Sequence, residues 1–432
     1  MAYVKKPKRK IKWKIAIPFI SLIVIIIYML VNILFPRPAK DDSVKICAHN
    51  VDRSYALLSV EYDQIYEISD YFFYGENLAF TKEKYSINKS DDLFGKTILL
   101  RNLCNDNKML FQLTQSIDQQ IDLGEIENGF YEVYVVNNLQ EYRLTSKEEI
   151  AEIFHTITRN EASKKVEIIA TDHYLKDKTL KHNYVYLNVT SDIIQHDSYD
   201  ILIDPFGGNN DDGYGVRWGY QINELSENDE MYKAALILKA RLESYGFNVG
   251  LTKNEKMQEI NSIGENGRIH LGYNKNAKLY VNLQFNGSNY SSTNGIEITN
   301  SLYSSNTLPN QIIHDLEKNV GLKGSMLYPG SIQNGVYSAK TFGEDGTTPY
   351  DLNSVIRETG GIATGAGVMN ETMRTKDAFA TNNKNGMQAL MIRLLYITNP
   401  LDYKLWLDEN ESIMNSIADS IAIYYQVELE GK

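Results

Sequence analysis

The apolar positions of this chain change pattern twice along its length. Ile15–Phe35 carries no charged side chain. At about 1.5 Å rise per residue, such a stretch spans roughly 31 Å as a helix, enough to cross the apolar core of a bilayer. Pro18 and Asn32 sit near its ends, where helix disruption and polarity are better tolerated. From about Ser43 to Ser191 the apolar positions come in short runs with polar connections. Lys96–Arg101 is one such run, and Phe111–Ile117 alternates loosely. GFYEVYVV, beginning at Gly129, is rich in aromatic and β-branched residues after a glycine turn. Lys165–Ala170 and Tyr184–Val189 predict two further strands, joined across a polar turn with Lys176, Asp177 and Lys178. One helix is predicted over Ser146–Ile157, which opens with Ser-Lys-Glu-Glu, a capping-box pattern. Short strands with polar connections predict an immunoglobulin-like β-sandwich over residues 43–191.

Beyond Ser198 the pattern changes again, and strands alternate with longer helical periods up to about Val427. This predicts an α/β region, residues 198–427, with a mostly parallel twisted sheet flanked by helices. Tyr199–Ile203, Asn248–Thr252, Leu279–Gln284, Ile296–Thr299 and Ala389–Tyr396 are its predicted strands. Ser226–Tyr245 has Met231, Ala234, Ala235, Leu238, Leu242 and Tyr245 at helical spacing, with Ser226 placed to cap it and Gly246 just beyond. Glu259–Asn274 reads as a helix interrupted by Gly264 and Gly267, and Glu411–Tyr425 as an amphipathic closing helix.

Charge gives the chain a direction. The first 14 residues hold Lys5, Lys6, Lys8, Arg9, Lys10, Lys12 and Lys14 and no acid. The basic tail is expected in the cytoplasm and everything after residue 36 outside it, beginning with a short linker, residues 36–42. The apolar run is longer than a signal-peptide core, and Pro36-Arg37-Pro38-Ala39-Lys40 makes a poor cleavage site. The expected location is therefore the cell membrane, with a single transmembrane helix at residues 15–35. The whole chain has 44 basic and 55 acidic residues; without the tail's seven basic ones the remainder carries 37 against 55, formally −18. Such an exterior argues against nucleic acid and against docking on anionic lipid or phosphate polymers. Two cysteines occur, Cys47 and Cys104. Outside the membrane they can be oxidised, but sequence does not place their Cα atoms within bonding reach, so a disulfide and two isolated apolar residues both stay open.

The chemistry-bearing stretch is Ile201–Gly208, ILIDPFGG. It resembles the opening strand and loop of the zinc-dependent N-acetylmuramoyl-L-alanine amidases, where an Ile-Asp-Pro-Gly-His-Gly-Gly run carries a zinc-binding His. ENDEMYKAALILKARLESYGFNVGLTK is similar to the family's Glu-led helix and the strand ending Leu-Thr-Arg, with Lys253 in place of the Arg. Arg268 with LYVNLQFN, then NGIEI, then GMQALMIRLLYITNP resemble the remaining family segments in order. The resemblance covers roughly 230 residues and implies the amidase α/β fold.

It also implies where the active site belongs. The family holds zinc on His, Glu and His, leaving an open place for a water whose pKa the metal lowers. Those positions are Phe206, Glu227 and Gln284, so Glu227 alone is retained. The family's proton-handling Glu falls on Arg393, which stays protonated and cannot act as a base. No zinc and no catalytic residue are therefore expected. A guanidinium on a central strand needs an acidic partner, expected to be Glu227 or Asp204. His196, His270 and His314 are the histidines of this region and do not fall at strand ends, where α/β sheets place ligands. Asn209-Asn210-Asp211-Asp212-Gly213 is oxygen-rich but lacks calcium-loop spacing. The expected function is a membrane-anchored, extracytoplasmic pseudo-amidase that binds peptidoglycan or a cell-envelope protein. Asp204, Phe206, Glu227, Gln284, Asn286 and Arg393 are its candidate cleft residues. The alternatives are an active amidase with a rewired metal site and a structural scaffold of the envelope or division machinery.

Overall fold

In a computed structural model of the protein, the described residues are 65–82, 93–172, 182–193, 197–211, 213–343, 346–347, 349–365 and 383–429. All of them belong to one compact unit, residues 50–432. The basic tail, the expected span 15–35, the linker, Cys47, His196, Asp212 and the polar turn 176–178 lie outside the described residues. Among the described residues no helix is long and apolar enough to cross a membrane. Cys104 is disulfide-bonded.

The regular elements among the described residues of the first region are strands: β1 Ile65–Ile68, β2 Asp70–Tyr74, β3 Asn77–Thr81, β4 Thr97–Asn102, β5 Lys108–Gln112, β6 Ile121–Asp122, β7 Gly129–Asn137, β8 Gln140–Ser146, β9 Ile150–His155, β10 Ser163–Thr171 and β11 Asn183–Asp192. Eight of them form one sheet in the order β5-β4-β7-β8-β11-β10-β9, with β1 added on β8. Among the described residues, two sheets of similar size, as in an immunoglobulin-like sandwich, are not seen. The second sheet is small and is shared with the other region, as described below.

The helix predicted over Ser146–Ile157 is a strand. Ile150 and Phe154 are its buried residues, and a four-residue spacing places two side chains on one face of either a helix or a strand. The tie is broken by β10, whose backbone pairs with β9 from Lys165↔His155 to Ala170↔Ile150.

The second region builds β12 Ile201–Pro205, β13 Gln221–Ile222, β14 Leu225–Ser226, α1 Glu227–Ser244, β15 Val249–Leu251, α2 Arg268–Asn274, β16 Leu279–Asn286, β17 Glu297–Thr299, α3 Thr307–Val320, β18 Val336–Tyr337, β19 Lys340–Phe342, β20 Pro349–Asp351, α4 Ser354–Thr359, α5 Ile362–Gly365, β21 Asn385–Gly386, β22 Gln388–Tyr396 and α6 Pro400–Tyr424. Its sheet has the order β15-β12-β16-β22-β17-β18. The four strands β15, β12, β16 and β22 run parallel, and β17 is antiparallel to β22. Alternate strand residues face opposite layers. Ile203, Leu283 and Ile392 join one core with Leu238, Ile312 and Ile417 of α1, α3 and α6. Leu202, Tyr280 and Ala389 join another with Ile269 and Ile356 of α2 and α4. Each such aliphatic residue contributes about 1.5–3 kcal/mol by burial.

Two helices differ from the sequence reading. The expected helix over 259–274 is confined to α2, because Gly264 takes φ 107° and breaks the turn. α6 begins eleven residues earlier than expected. Asn399 caps it, its side chain accepting the amides of Leu401 and Asp402, and Pro400 fills the first turn, where no amide partner is lost. Ser226 stands at the N-cap of α1 but makes no side-chain cap bond.

The two regions are joined by a common sheet. β21 of the second pairs with β2 of the first, giving the order β21-β2-β3-β6. Phe72, Tyr74, Phe94 and Ile117 pack in one cluster with Tyr303, Ile362 and Ala363. Buried Glu76 pairs with Arg159 and accepts the Ile157 amide, while Arg159 Nε donates to the Tyr425 carbonyl at 2.7 Å. Lys384 Nζ reaches Asp70 at 2.5 Å.

Candidate functional site

The site grows from the carboxyl ends of β12, β16 and β22, where the chain leaves a parallel sheet and ligands of α/β folds collect. Asp204 is the anchor beneath it. Its Oδ1 accepts from Arg268 at 2.8 Å and Thr252 at 2.7 Å, and its Oδ2 from Asn282 at 2.8 Å. Arg268 also donates to the carbonyls of Pro205 and Gly207, so one guanidinium holds both the strand end and the loop after it. Buried Lys253 donates to Asn228 at 2.6 Å and to the Gly207 carbonyl at 3.2 Å. Burial, with Arg268 nearby, brings its ammonium down to about 8.

Loop 205–208 fits this cradle because of its glycines. Gly207 has φ 107°, and a Cβ there would meet Asn228 Oδ1 at 2.4 Å. Phe206 makes its contact with the core beneath α1, α3 and α6, and its amide donates to the Leu283 carbonyl at 2.9 Å. It thus reaches the apolar layer, which an imidazole bound to a metal in the cleft would not.

Glu227 opens α1 and is buried. Both its oxygens are taken by backbone: Oε1 accepts the Phe285 amide at 2.6 Å and Oε2 the Tyr220 amide at 2.8 Å. Gly219 makes room, since a Cβ on it would lie 2.3 Å from Oε2. Burial pushes the carboxyl up to about 7, against the pull of the two amides.

Gln284 and Arg393 stand in register on neighbouring parallel strands. Gln284 Nε2 donates to Asn282 Oδ1 at 3.1 Å. The carboxylate beside Arg393 is neither Glu227 nor Asp204, as the sequence reading expected, but Glu297, its cross-strand partner on β17, at 3.9 Å. Asp204 is already neutralised by Arg268, and Glu227 lies among backbone amides. Glu297 is itself held by Asn286 Nδ2 at 2.8 Å and by the Tyr396 hydroxyl. The Tyr337 hydroxyl bonds Arg393, and the Tyr337 ring stacks on Tyr328 at 3.8 Å and 8°.

All six candidate residues therefore come together at one end of the sheet. Glu297, Tyr337, Tyr328 and Tyr396 were missed by the sequence reading. For Glu297 a signal existed: a carboxylate inside the apolar strand NGIEI needs a partner. For the tyrosines there was none.

These residues do not fit a zinc ion. Phe206 has no lone pair, Gln284 is a poor ligand, both oxygens of Glu227 are committed, and Arg393 adds positive charge. In loop 209–213, Asp211 takes Asn209 Nδ2 on Oδ2 and the Ser262 amide on Oδ1. Among the described residues no group of three or more His, Cys, Asp or Glu is arranged to hold a metal.

The sequence profile of N-acetylmuramoyl-L-alanine amidase matches residues 201–423, just over half of the 432 residues. The chain belongs to the N-acetylmuramoyl-L-alanine amidase family. Among solved structures, this amidase-family chain resembles Cwp6 from Clostridium difficile at 17% identity and TM-score 0.35, over 52% of this chain and 29% of Cwp6, so it spans less than a third of that protein. It resembles the amidase AmiC2 of Nostoc punctiforme at 19% identity and TM-score 0.34, over 52% of this chain and 96% of that one. The catalytic domain of the amidase CwlV from Bacillus (Paenibacillus) polymyxa matches at 19% identity and TM-score 0.34, over 53% and 98%. No curated protein sequence matches the chain.

Proposed function

We propose that this amidase-family chain binds peptidoglycan in the family's cleft without cleaving it, and does so outside the cytoplasm on a membrane anchor. The observation that carries the reading is the state of Glu227. It is the family ligand that this sequence retains, and its two oxygens are held by the amides of Phe285 and Tyr220. Phe206, Gln284 and Arg393 supply neither a second strong ligand nor a base. Hydrolysis of an amide by this family's route needs both together. The cleft nevertheless keeps a rigid floor, an arginine and a tyrosine wall, which suit binding.

The test is made on the purified full-length chain equilibrated with zinc. Expected are no stoichiometric zinc, no release of peptides with new N-terminal alanine from purified cell walls, and sedimentation of the protein with those walls. About one zinc per chain with chelator-sensitive release would establish an active amidase instead. Failure to sediment would overturn the binding half of the reading. The anchor rests on the basic tail and the uncharged stretch 15–35. Protease added to spheroplasts should digest the chain beyond residue 36 and leave a short protected stub, whereas a soluble form lacking residues 1–35 would show cleavage.

A further inference from the structure

Arg393 is held in place by the fold but not used up by it. Glu297 lies 3.9 Å away, beyond hydrogen-bond reach, and its oxygens are taken by Asn286 and Tyr396. Among the described residues, the hydrogen bond that Arg393 makes is to the Tyr337 hydroxyl. A guanidinium offers five N–H donors in a fixed plane. The Arg393 side chain keeps 28% of its surface exposed, so among the described residues part of the guanidinium is open to solvent beside Tyr337 and Gln284. A purely structural ion pair would draw the two groups into direct contact, which is the geometry that gives such a pair its strength. Here the carboxylate is occupied elsewhere and the cation is left with spare donors.

The surroundings are those of a receptor. Tyr337 is braced flat against Tyr328 and fixes one edge of the guanidinium. Gln284 brings an amide alongside on the next strand. Tyr328 and the exposed Met326 and Leu327 extend the tyrosine wall as an apolar lip. A planar cation with one edge engaged by Tyr337 and, among the described residues, its Nε/Nη2 edge unclaimed matches a carboxylate, which such an edge binds through two parallel hydrogen bonds. We propose that Arg393 is an anion receptor that takes a carboxylate of a peptide lying in the cleft. The proposal rests on the reading above, that the cleft holds a muramoyl peptide.

The test measures binding to the full-length chain of N-acetylmuramoyl-L-alanyl-D-glutamate and of the same compound with both glutamate carboxyls converted to amides. The acid should bind at least about tenfold tighter, the effect of one charge-assisted contact. Arg393→Gln should remove that difference. Arg393→Lys, which keeps the charge but loses the fork, should restore part of it. Tyr337→Phe, which keeps the wall but frees the guanidinium, should reduce the preference with an unchanged unfolding temperature, so a folding defect in the Arg393 variants does not leave the question unanswered. Equal affinity for acid and diamide, or a preference that survives Arg393→Gln, would overturn the proposal. Displacement of the acid by glycerol phosphate at equal concentration would overturn the carboxylate assignment. Walls that sediment the protein while acid and diamide bind alike sink this inference alone; loss of wall binding and of both probes sinks the peptidoglycan reading with it.

Discussion

Glu227 accepts the Phe285 amide at 2.6 Å, and so a side chain at the start of α1 closes the end of β16, 58 residues away in sequence. The Tyr220 amide takes its other oxygen at 2.8 Å. A carboxylate placed this way behaves as a backbone clamp. It ties the hairpin before α1 to the strand that carries Gln284.

That clamp predicts the outcome of a simple rescue. Phe206→His alone should give no tight zinc. The loop is one residue shorter than the family's, Gln284 supplies no imidazole, and Glu227 would have to release two amides to reach a metal. The minimum set is the loop glycine, both histidines and a glutamate at 393. Metal content of the purified variants is the readout, and stoichiometric zinc on the single variant would show that the loop is misaligned with the family's.

Glu227 also predicts a pH dependence. Its folded pKa, about 7, lies above the ordinary glutamate value of 4.5. The stability linked to this group is therefore fully present below pH 4.5 and is lost as pH rises through 7. Asp200 and Asp351, each pushed up to about 6 by burial, act in the same direction, so the wild-type profile alone does not isolate the effect. The difference between wild type and Glu227→Gln does. Whatever the variant's baseline, its denaturation midpoint should fall less steeply than wild type between pH 4.5 and 7. Parallel profiles would mean that Glu227 titrates as an ordinary carboxyl.

The junction of the two regions depends on the buried Glu76–Arg159 pair. Arg159→Ala would leave Glu76 buried against the Ile157 amide without its cation, a change that costs about 3–5 kcal/mol in comparable cases. Adding Glu76→Gln to Arg159→Ala should recover part of that loss. Urea denaturation of the single and double variants measures both. A single variant within 0.5 kcal/mol of wild type, roughly the level of an ordinary surface change, would show that the pair does not hold the regions together.

Much of the second region was legible without a structure. ILIDP, LYVNLQFN and ALMIRLLY are near-continuous apolar runs, as buried parallel strands require, and the heptad-like spacing from Met231 to Leu242 allows only a helix with one buried face. The replaced positions, Phe206, Gln284 and Arg393, were legible for a different reason: the segments that carry them resemble those of the amidase family in the same order along the chain. Local pattern failed where two periods share a spacing, as for Ile150 and Phe154, and where a cap lay beyond the obvious amphipathic stretch, as at Asn399.

What the sequence determined by itself is the kind of sheet, the helices that cover it, and the identity of the side chains at its carboxyl edge, because these follow from periodicity and order along one chain. Tertiary structure alone decided which groups those side chains meet. Arg393 faces Glu297 because β17 runs antiparallel to β22 in one register. Glu227 meets two amides because β16 ends where α1 begins. β2 and β21 share a sheet although their first residues, Asp70 and Asn385, lie 385 − 70 = 315 positions apart; the Lys384–Asp70 ion pair and the Phe73↔Asn385 pairing bring them together. Partner choice across such distances depends on the burial and desolvation of the whole fold, to which no local stretch of sequence has access.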